Sequence, residues 1–239
     1  MPAGATQAFL RRAFTRWGTP RELRVDNGTP WGSRGDLPTD LALWLAGLDV
    51  GVRPNPPRRP QDNGVVERSQ LTGKRWGEPH RAQSVEDLQG ALDAMDPIQR
   101  ARYPYKGAAS RMASYPGLAH SGRTYDEAQE EALWRLERVH DLLVRFVVAR
   151  QVDRCGMVSL YNRNYYVGKS HTLQSIFVRF DPQQQRWLFH DESNHLLNHH
   201  HAGEIDAARI KSLTVTNRRD RSKADDIGKT RCRDSFGTT

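Results

Sequence analysis

Along residues 5–17 (ATQAFLRRAFTRW) the apolar positions Ala5, Ala8, Phe9, Ala13 and Phe14 fall on or near one helical face, with Arg11 and Arg12 elsewhere. The spacing predicts a helix that Gly18 and Pro20 bring to an end. Residues 22–26 (ELRVD) form a short strand run that meets the turn dipeptide Asn27-Gly28. Residues 39–48 (TDLALWLAGL) read as a short apolar helix. Residues 49–53 (DVGVR) alternate like a strand and stop at the proline-rich residues 54–60. A further helix is predicted over residues 64–76, with Asp62 or Asn63 placed to cap it.

Helix, strand, helix, strand, helix is an α/β order with a parallel strand pair. Two strands alone make a poor sheet, and nothing before residue 20 supplies others. The expectation is therefore a partial α/β core over residues 1–95, truncated at its N-terminus so that its first strands are missing.

Beyond it, residues 84–95 begin with Ser84-Val85-Glu86-Asp87, an approximate capping box with Asp in place of Glu. Residues 96–125 are rich in Pro, Gly, Ser, Arg and Tyr and predict an extended connector, and residues 126–140 return to helix. Residues 96–140 together make a basic connector with a helix. From residue 142 short strand runs follow at 142–151, 157–161, 165–167, 175–181, 187–190 and 195–197, separated by turn signals at Asn162-Arg163-Asn164, Gly168 and Asp181-Pro182. This pattern predicts a small antiparallel β-barrel over residues 141–216, to which residues 203–216 add a last element. Residues 217–239 hold seven basic and four acidic residues among polar ones and predict a disordered basic tail. The fold class is thus α/β plus all-β.

Composition changes this picture mainly through charge. The 239 residues are 37% hydrophobic and 27% charged, ordinary for a folded chain, but the net charge is +8. That charge favours a polyanionic partner, and nucleic acid is the commonest. The basic residues are also clustered. Arg100, Arg102, Lys106, Arg111 and Arg123 lie in a stretch, residues 97–125, without one acidic residue. Residues 53–76 hold Arg53, Arg58, Arg59, Arg68, Lys74 and Arg75 against Asp62 and Glu67. No run approaches the roughly 18 apolar residues of a membrane span, and the first residues carry neither the basic nor the apolar region of a secretion signal. Cys155 and Cys232 show no metal-ligand or redox spacing, so a reducing, cytoplasmic compartment is expected.

The chemistry-bearing pair is Asp26, at a strand end, and Glu67, on a helix forty-one positions later. Carboxylates so carried can converge on a hard divalent cation, because Mg²⁺ prefers a few carboxylates together with water and substrate phosphates. Two such ions about 3.5–4 Å apart activate a water or a 3′-hydroxyl and stabilise the leaving oxygen of a phosphoryl transfer. Lys74 is seven residues after Glu67, about 700° around the helix, and so shares its face two turns on. A cation there can hold a phosphate, with Arg68 and Arg75 to one side. Taken singly, Asp26-Asn27-Gly28 also reads as a plain turn, and Glu67 and Lys74 as a solvated helix face.

VDNGTPW at residues 25–31, followed by GVRPNPPRRPQDNGVVERSQLTGKRW at residues 51–76, closely resembles the second half of the integrase catalytic core of DDE transposases, which shares the RNase H-like fold with retroviral integrases. The resemblance spans roughly residues 5–76. It implies that Asp26 is the second catalytic aspartate and Glu67 the catalytic glutamate, both ligands of Mg²⁺ or Mn²⁺ in an intact member. It also implies that Lys74 contacts DNA ends; Arg58, Arg59, Arg68 and Arg75, in the basic stripe around it, are further expected DNA-binding residues. Asn63-Gly64 matches the turn that opens the glutamate's helix. The family's first aspartate has no counterpart, since Glu22 is the one acidic residue before Asp26 and sits in the same strand. The chain as written is accordingly expected to be deficient in catalysis.

RFVVARQVDRCGMVSLYNRNYYVG at residues 145–168, with IFVRFDPQQQRWLFHD after it, resembles the C-terminal β-barrel appended to many bacterial transposase cores. The resemblance implies DNA or partner-subunit binding there. Tyr161, Arg163, Tyr165, Tyr166 and Lys169 interleave aromatic and basic residues, either as a nucleic-acid surface built around Arg163 and Lys169 or as ordinary core and strand surface. His195, His199, His200 and His201 suggest zinc, but three consecutive residues cannot all face one ion, and an exposed hairpin or loop fits better. The expected function is metal-dependent nicking and strand transfer of DNA by a truncated copy, with DNA as partner and a homo-oligomer when intact. The alternative is a non-catalytic remnant that still holds DNA. A basic RNA-binding protein with accidental carboxylates is the remaining reading.

Overall fold

The computed structural model describes residues 2–32, 36–56 and 64–213. The tail at 217–239, Arg58, Arg59, Asn63 and Cys232 lie outside the described residues. The fold is mixed, with helices, a short parallel strand pair and antiparallel sheets. The chain divides into two compact units, one from the described residues of Met1–Gly32 and Val50–Leu133, the other from those of Ser33–Asp49 and Trp134–Thr239. No helix among the described residues is long and apolar enough to cross a membrane.

The first unit opens with α1 (Ala3–Trp17). Gly18 ends it at φ +75°, its N–H donating to the Phe14 carbonyl at 2.8 Å. A β-carbon at Gly18 would lie 2.6 Å from the Arg123 carbonyl oxygen, so glycine is required there both for the turn and for the close approach. Phe14 is buried and meets Tyr125 edge-on at 5.7 Å between ring centroids. Strands β1 (Glu22–Val25) and β2 (Gly51–Pro54) pair in parallel, with Glu22 opposite Gly51 and Val25 opposite Pro54. Val25 alone of these eight residues is buried.

Helix α3 (Gly64–Gly77) packs on α4 (Val85–Ala101) through its glycines. β-Carbons at Gly73 and Gly77 would come 3.8 and 3.1 Å from Leu92 Cδ2, so small residues on that face let α4 approach. Ser84 caps α4 as the sequence predicts, accepting the Asp87 N–H at 3.1 Å. The helix runs past the predicted end at Met95 and carries Pro97 inside it. Charge pairing holds this turn, with Arg100 on Asp96 at 2.8 Å and Arg16 of α1 on Asp93 at 2.8 Å. These contacts and the stacking of Arg100 over Trp17 at 4.6 Å offset the hydrogen bond that proline removes. The rest of residues 96–125, predicted as extended, contains α5 (Arg111–Ser114) and a 3₁₀ turn at Pro116–Leu118. A second 3₁₀ turn, Glu127–Gln129, leads into α6 (Glu130–Leu133).

The helix predicted over 126–140 is broken at Arg135, which is extended (φ −132°, ψ 126°), and resumes as α7 (Leu136–Leu143) in the second unit. The break frees Trp134 to bury its indole against α2 (Asp40–Gly47), donating from Nε1 to the Trp44 carbonyl at 3.0 Å. Helix α2 is buried on nearly every side, which accounts for its uniformly apolar sequence. Although α2 is encoded between β1 and β2, it belongs to this second unit, packing on α7 and on α8 (Ala207–Ser212).

Strands β3 (Val147–Gln151), β6 (Ser175–Asp181), β7 (Arg186–His190) and β8 (Leu196–His201) form one antiparallel sheet in the order β3-β6-β7-β8. Buried and unburied positions alternate strictly along both β6 and β7, as expected for a sheet with one covered face. Strands β4 (Met157–Leu160) and β5 (Arg163–Tyr166) form a separate hairpin. The described strands therefore do not close into the expected barrel. The chain leaves the ladder after β5 in a 3₁₀ turn, Lys169–His171, and the turn that follows β3 meets β4 through single bonds such as that from the Asp153 N–H to the Met157 carbonyl. At the centre of this unit Glu204, fully buried, accepts from Trp187 Nε1 at 2.7 Å and from the Tyr165 hydroxyl.

Candidate functional site

Asp26 stands directly after β1 and is exposed. The parallel ladder continues past it through the Asn55 N–H, which donates to the Val25 carbonyl at 2.8 Å. Asn27 Nδ2 then donates to the Asn55 carbonyl at 2.9 Å, fixing the chain on the far side of the aspartate. Asp26 Oδ1 accepts the Gly28 N–H at 3.2 Å, the Asx turn that Asp-Asn-Gly favours, which leaves its other oxygen free for a ligand. The plain-turn reading of this tripeptide is thus met, and it is compatible with a ligand role.

Glu67 lies in the first turn of α3 and is exposed, as are Arg68, Lys74 and Arg75. The Gly73–Gly77 stripe used for packing on α4 is roughly 100° around the helix from Glu67, so packing leaves the Glu67–Lys74 face to solvent. A carboxylate in the first turn also complements the helix dipole, a structural benefit independent of any metal. Neither Asp26 nor Glu67 has a cationic partner among the described residues, whereas Asp93, Asp96 and Glu130 of the same unit are all paired with arginine. Among the described residues no group of three His, Cys, Asp or Glu side chains is gathered to hold a metal ion.

Arg163 and Lys169 belong to the other unit, Arg163 exposed on β5 and Lys169 exposed in the 3₁₀ turn. Of the tyrosines beside them, Tyr165 is core. It is buried, its ring lies 5.9 Å from that of Phe189, and burial together with Glu204 pushes its hydroxyl well above the ordinary tyrosine range. Tyr161 is also committed inward, donating to the Pro38 carbonyl at 2.9 Å. Tyr166 remains exposed. Of the five interleaved residues, Arg163, Tyr166 and Lys169 are therefore the ones left at the surface.

His199, His200 and His201 lie on β8, the second strand of the β7–β8 hairpin, with His195 just before it, so of the two expected alternatives the hairpin is the one present. His200 Nε2 lies 2.6 Å from the Tyr166 carbonyl and His201 Nδ1 3.1 Å from that of Gln185, so both rings serve backbone groups.

One cluster escaped the reading by spacing. Around residues 103–115, lysine and arginine side chains lie over tyrosine rings. The cations were visible in the sequence, and the motif Tyr103-Pro104-Tyr105-Lys106-Gly107 was the available signal for the rings. No protein-family model matches the chain.

Proposed function

We propose that this chain carries the second half of a metal-dependent DNA strand-transfer core of the DDE transposase and integrase type, with an RNase H-like arrangement. One observation carries the reading. An exposed aspartate follows the first strand of a parallel pair, and the helix after the second strand presents an exposed glutamate with a lysine two turns on. Both carboxylates are free of cationic partners among the described residues. That donor chemistry suits Mg²⁺ or Mn²⁺, for which Asp26 and Glu67 are the ligands this chain provides. Bound there, such ions supply activation of a water or 3′-hydroxyl and neutralise charge on the leaving oxygen.

The remaining residues bind and orient DNA. Lys74, Arg68 and Arg75 take backbone phosphates near the carboxylates, with Arg58 and Arg59 on the same sequence stretch and Arg163 and Lys169 on the second unit. Joining two DNA ends calls for at least two copies, in a cytoplasmic setting. A second reading, DNA holding without cleavage, is favoured by the want of a third donor beside the pair among the described residues.

Mn²⁺ binding by the full chain, followed by electron paramagnetic resonance with a DNA duplex present, tests the assignment. Asp26→Asn and Glu67→Gln are each expected to lower Mn²⁺ affinity and to leave DNA binding intact. Unchanged Mn²⁺ affinity in both variants removes the pair from the metal role. Metal binding without joining of labelled DNA ends selects the second reading.

A further inference from the structure

Residues 97–125 place four tyrosines among five cations and no acid, and around Tyr103, Tyr105 and Tyr115 the fold turns that composition into a surface. Tyr105 and Ala108 exchange both backbone hydrogen bonds, at 3.1 and 2.9 Å, around a two-residue turn. Lys106 (φ +46°) and Gly107 (φ +80°) occupy its centre, both left-handed, as in the tightest hairpin turns. The turn sets Lys106 Nζ 5.4 Å from the Tyr105 ring centroid, while Arg111 Cζ lies 5.8 Å from the same ring. Tyr115 leans on Tyr105 at 6.0 Å with the rings tilted by 54°, and is 48% exposed. Trp76 and Tyr103 form a second pair, 5.5 Å apart and edge-on, 43% and 45% exposed.

Tyr115, Tyr103 and Trp76 are each close to half exposed, which leaves ring surface available to a ligand. Arg102, Lys106 and Arg111 have no carboxylate partner among the described residues. A duplex would engage these cations through its phosphates but would keep its base faces stacked inside, leaving the rings unused. Unpaired nucleotides satisfy both, since bases stack on rings while phosphates meet the cations.

We propose that Tyr115, Tyr105 and Tyr103, with Trp76, Lys106 and Arg111, form a binding platform for unpaired nucleotides of single-stranded nucleic acid. The platform needs neither Asp26 nor Glu67, so it stands or falls apart from the strand-transfer reading.

Fluorescence anisotropy of the full chain, with chelator present to exclude metal effects, compares labelled oligo-dT with an abasic phosphodiester strand of equal length and with a duplex. Oligo-dT is expected to bind more tightly than the abasic strand. Tyr115→Ala is expected to weaken oligo-dT binding about ten-fold and to leave the abasic strand unaffected, while Tyr115→Phe keeps most of the affinity. Oligo-U, run alongside, distinguishes RNA from DNA as the source of the strand. Equal affinity of the wild-type chain for oligo-dT and the abasic strand overturns the proposal without recourse to any variant, and so does a Tyr115→Ala chain that binds oligo-dT like the wild type.

Discussion

Arg11 and Glu130 are joined at two points, Arg11 Nε donating to one carboxylate oxygen at 2.8 Å and Nη2 to the other at 2.7 Å. The Tyr125 hydroxyl also donates to this carboxylate, which is buried. The pair ties α1 to the segment that closes the first unit, a separation of 119 positions along the chain. A paired carboxylate raises the arginine further above its ordinary range, and burial beside Glu130 pushes the Tyr125 hydroxyl up as well.

Removing one partner leaves the other without compensation. Arg11→Ala is expected to destabilise the first unit by about 3 kcal/mol, because a buried carboxylate then lacks its cation. Urea denaturation followed by tryptophan fluorescence measures the change. Arg11→Lys, which cannot reproduce the two-point geometry, should recover only part of the loss.

A different weakness lies at Gly47. A β-carbon there would sit 2.0 Å from Trp134 Nε1 and 2.1 Å from Cε2, inside the indole that donates to Trp44. Gly47→Ala therefore forces the buried tryptophan to move, and a loss of about 2 kcal/mol or more is expected in the second unit. Thermal unfolding compared with Gly90→Ala supplies the control, since a β-carbon at Gly90 meets nothing within 4 Å and a helical alanine there should stabilise slightly.

Acid should weaken the second unit through two histidines. The His140 ring lies 5.1 Å from that of Phe180, and neither its Nε2 nor His190 Nδ1 has a hydrogen-bond partner among the described residues. Burial holds both imidazoles below the ordinary value of 6.5, so the folded chain binds these protons more weakly than the unfolded chain does. Their contribution is complete above about pH 6.5 and declines as pH falls below it. Urea midpoints measured from about pH 7.5 down to about pH 5 should decrease, and His140→Phe should flatten that decrease. A midpoint as pH-dependent in His140→Phe as in the wild type would count against this histidine.

Lys74 offers a test of the DNA face that does not require catalysis. Lys74→Ala is expected to weaken duplex binding and to lower the salt dependence of log Kd by about 1, the signature of one lost phosphate contact. An unchanged slope would detach Lys74 from the DNA.

The sequence made the local elements legible where one force dominated. Ser84 could be read as a cap, and β6 and β7 could be read from alternation, because in each the residues concerned act within one turn or one strand. It was silent where distant partners decide. Pro97 should have ended α4, yet Arg16 of α1, 77 positions before Asp93, holds Asp93 and Asp96 in place across it. Trp134 splits a continuous helical pattern because its indole is drawn to α2. At the candidate site, Asp26 and Glu67 could be named from spacing and resemblance. The platform at Tyr105 could not, since it depends on a tight turn and on rings brought together from residues 76 to 115.

The assignment of α2 to the second unit has a consequence for synthesis. Trp134 docks on a carbonyl 90 positions earlier in the chain, so this helix leaves the ribosome long before the surface that shields it has been made. During that interval Leu41, Leu43, Trp44 and Leu45 are bare, all of them buried in the finished protein. A finished apolar helix therefore has to wait for partners made late in the chain before its surface is covered.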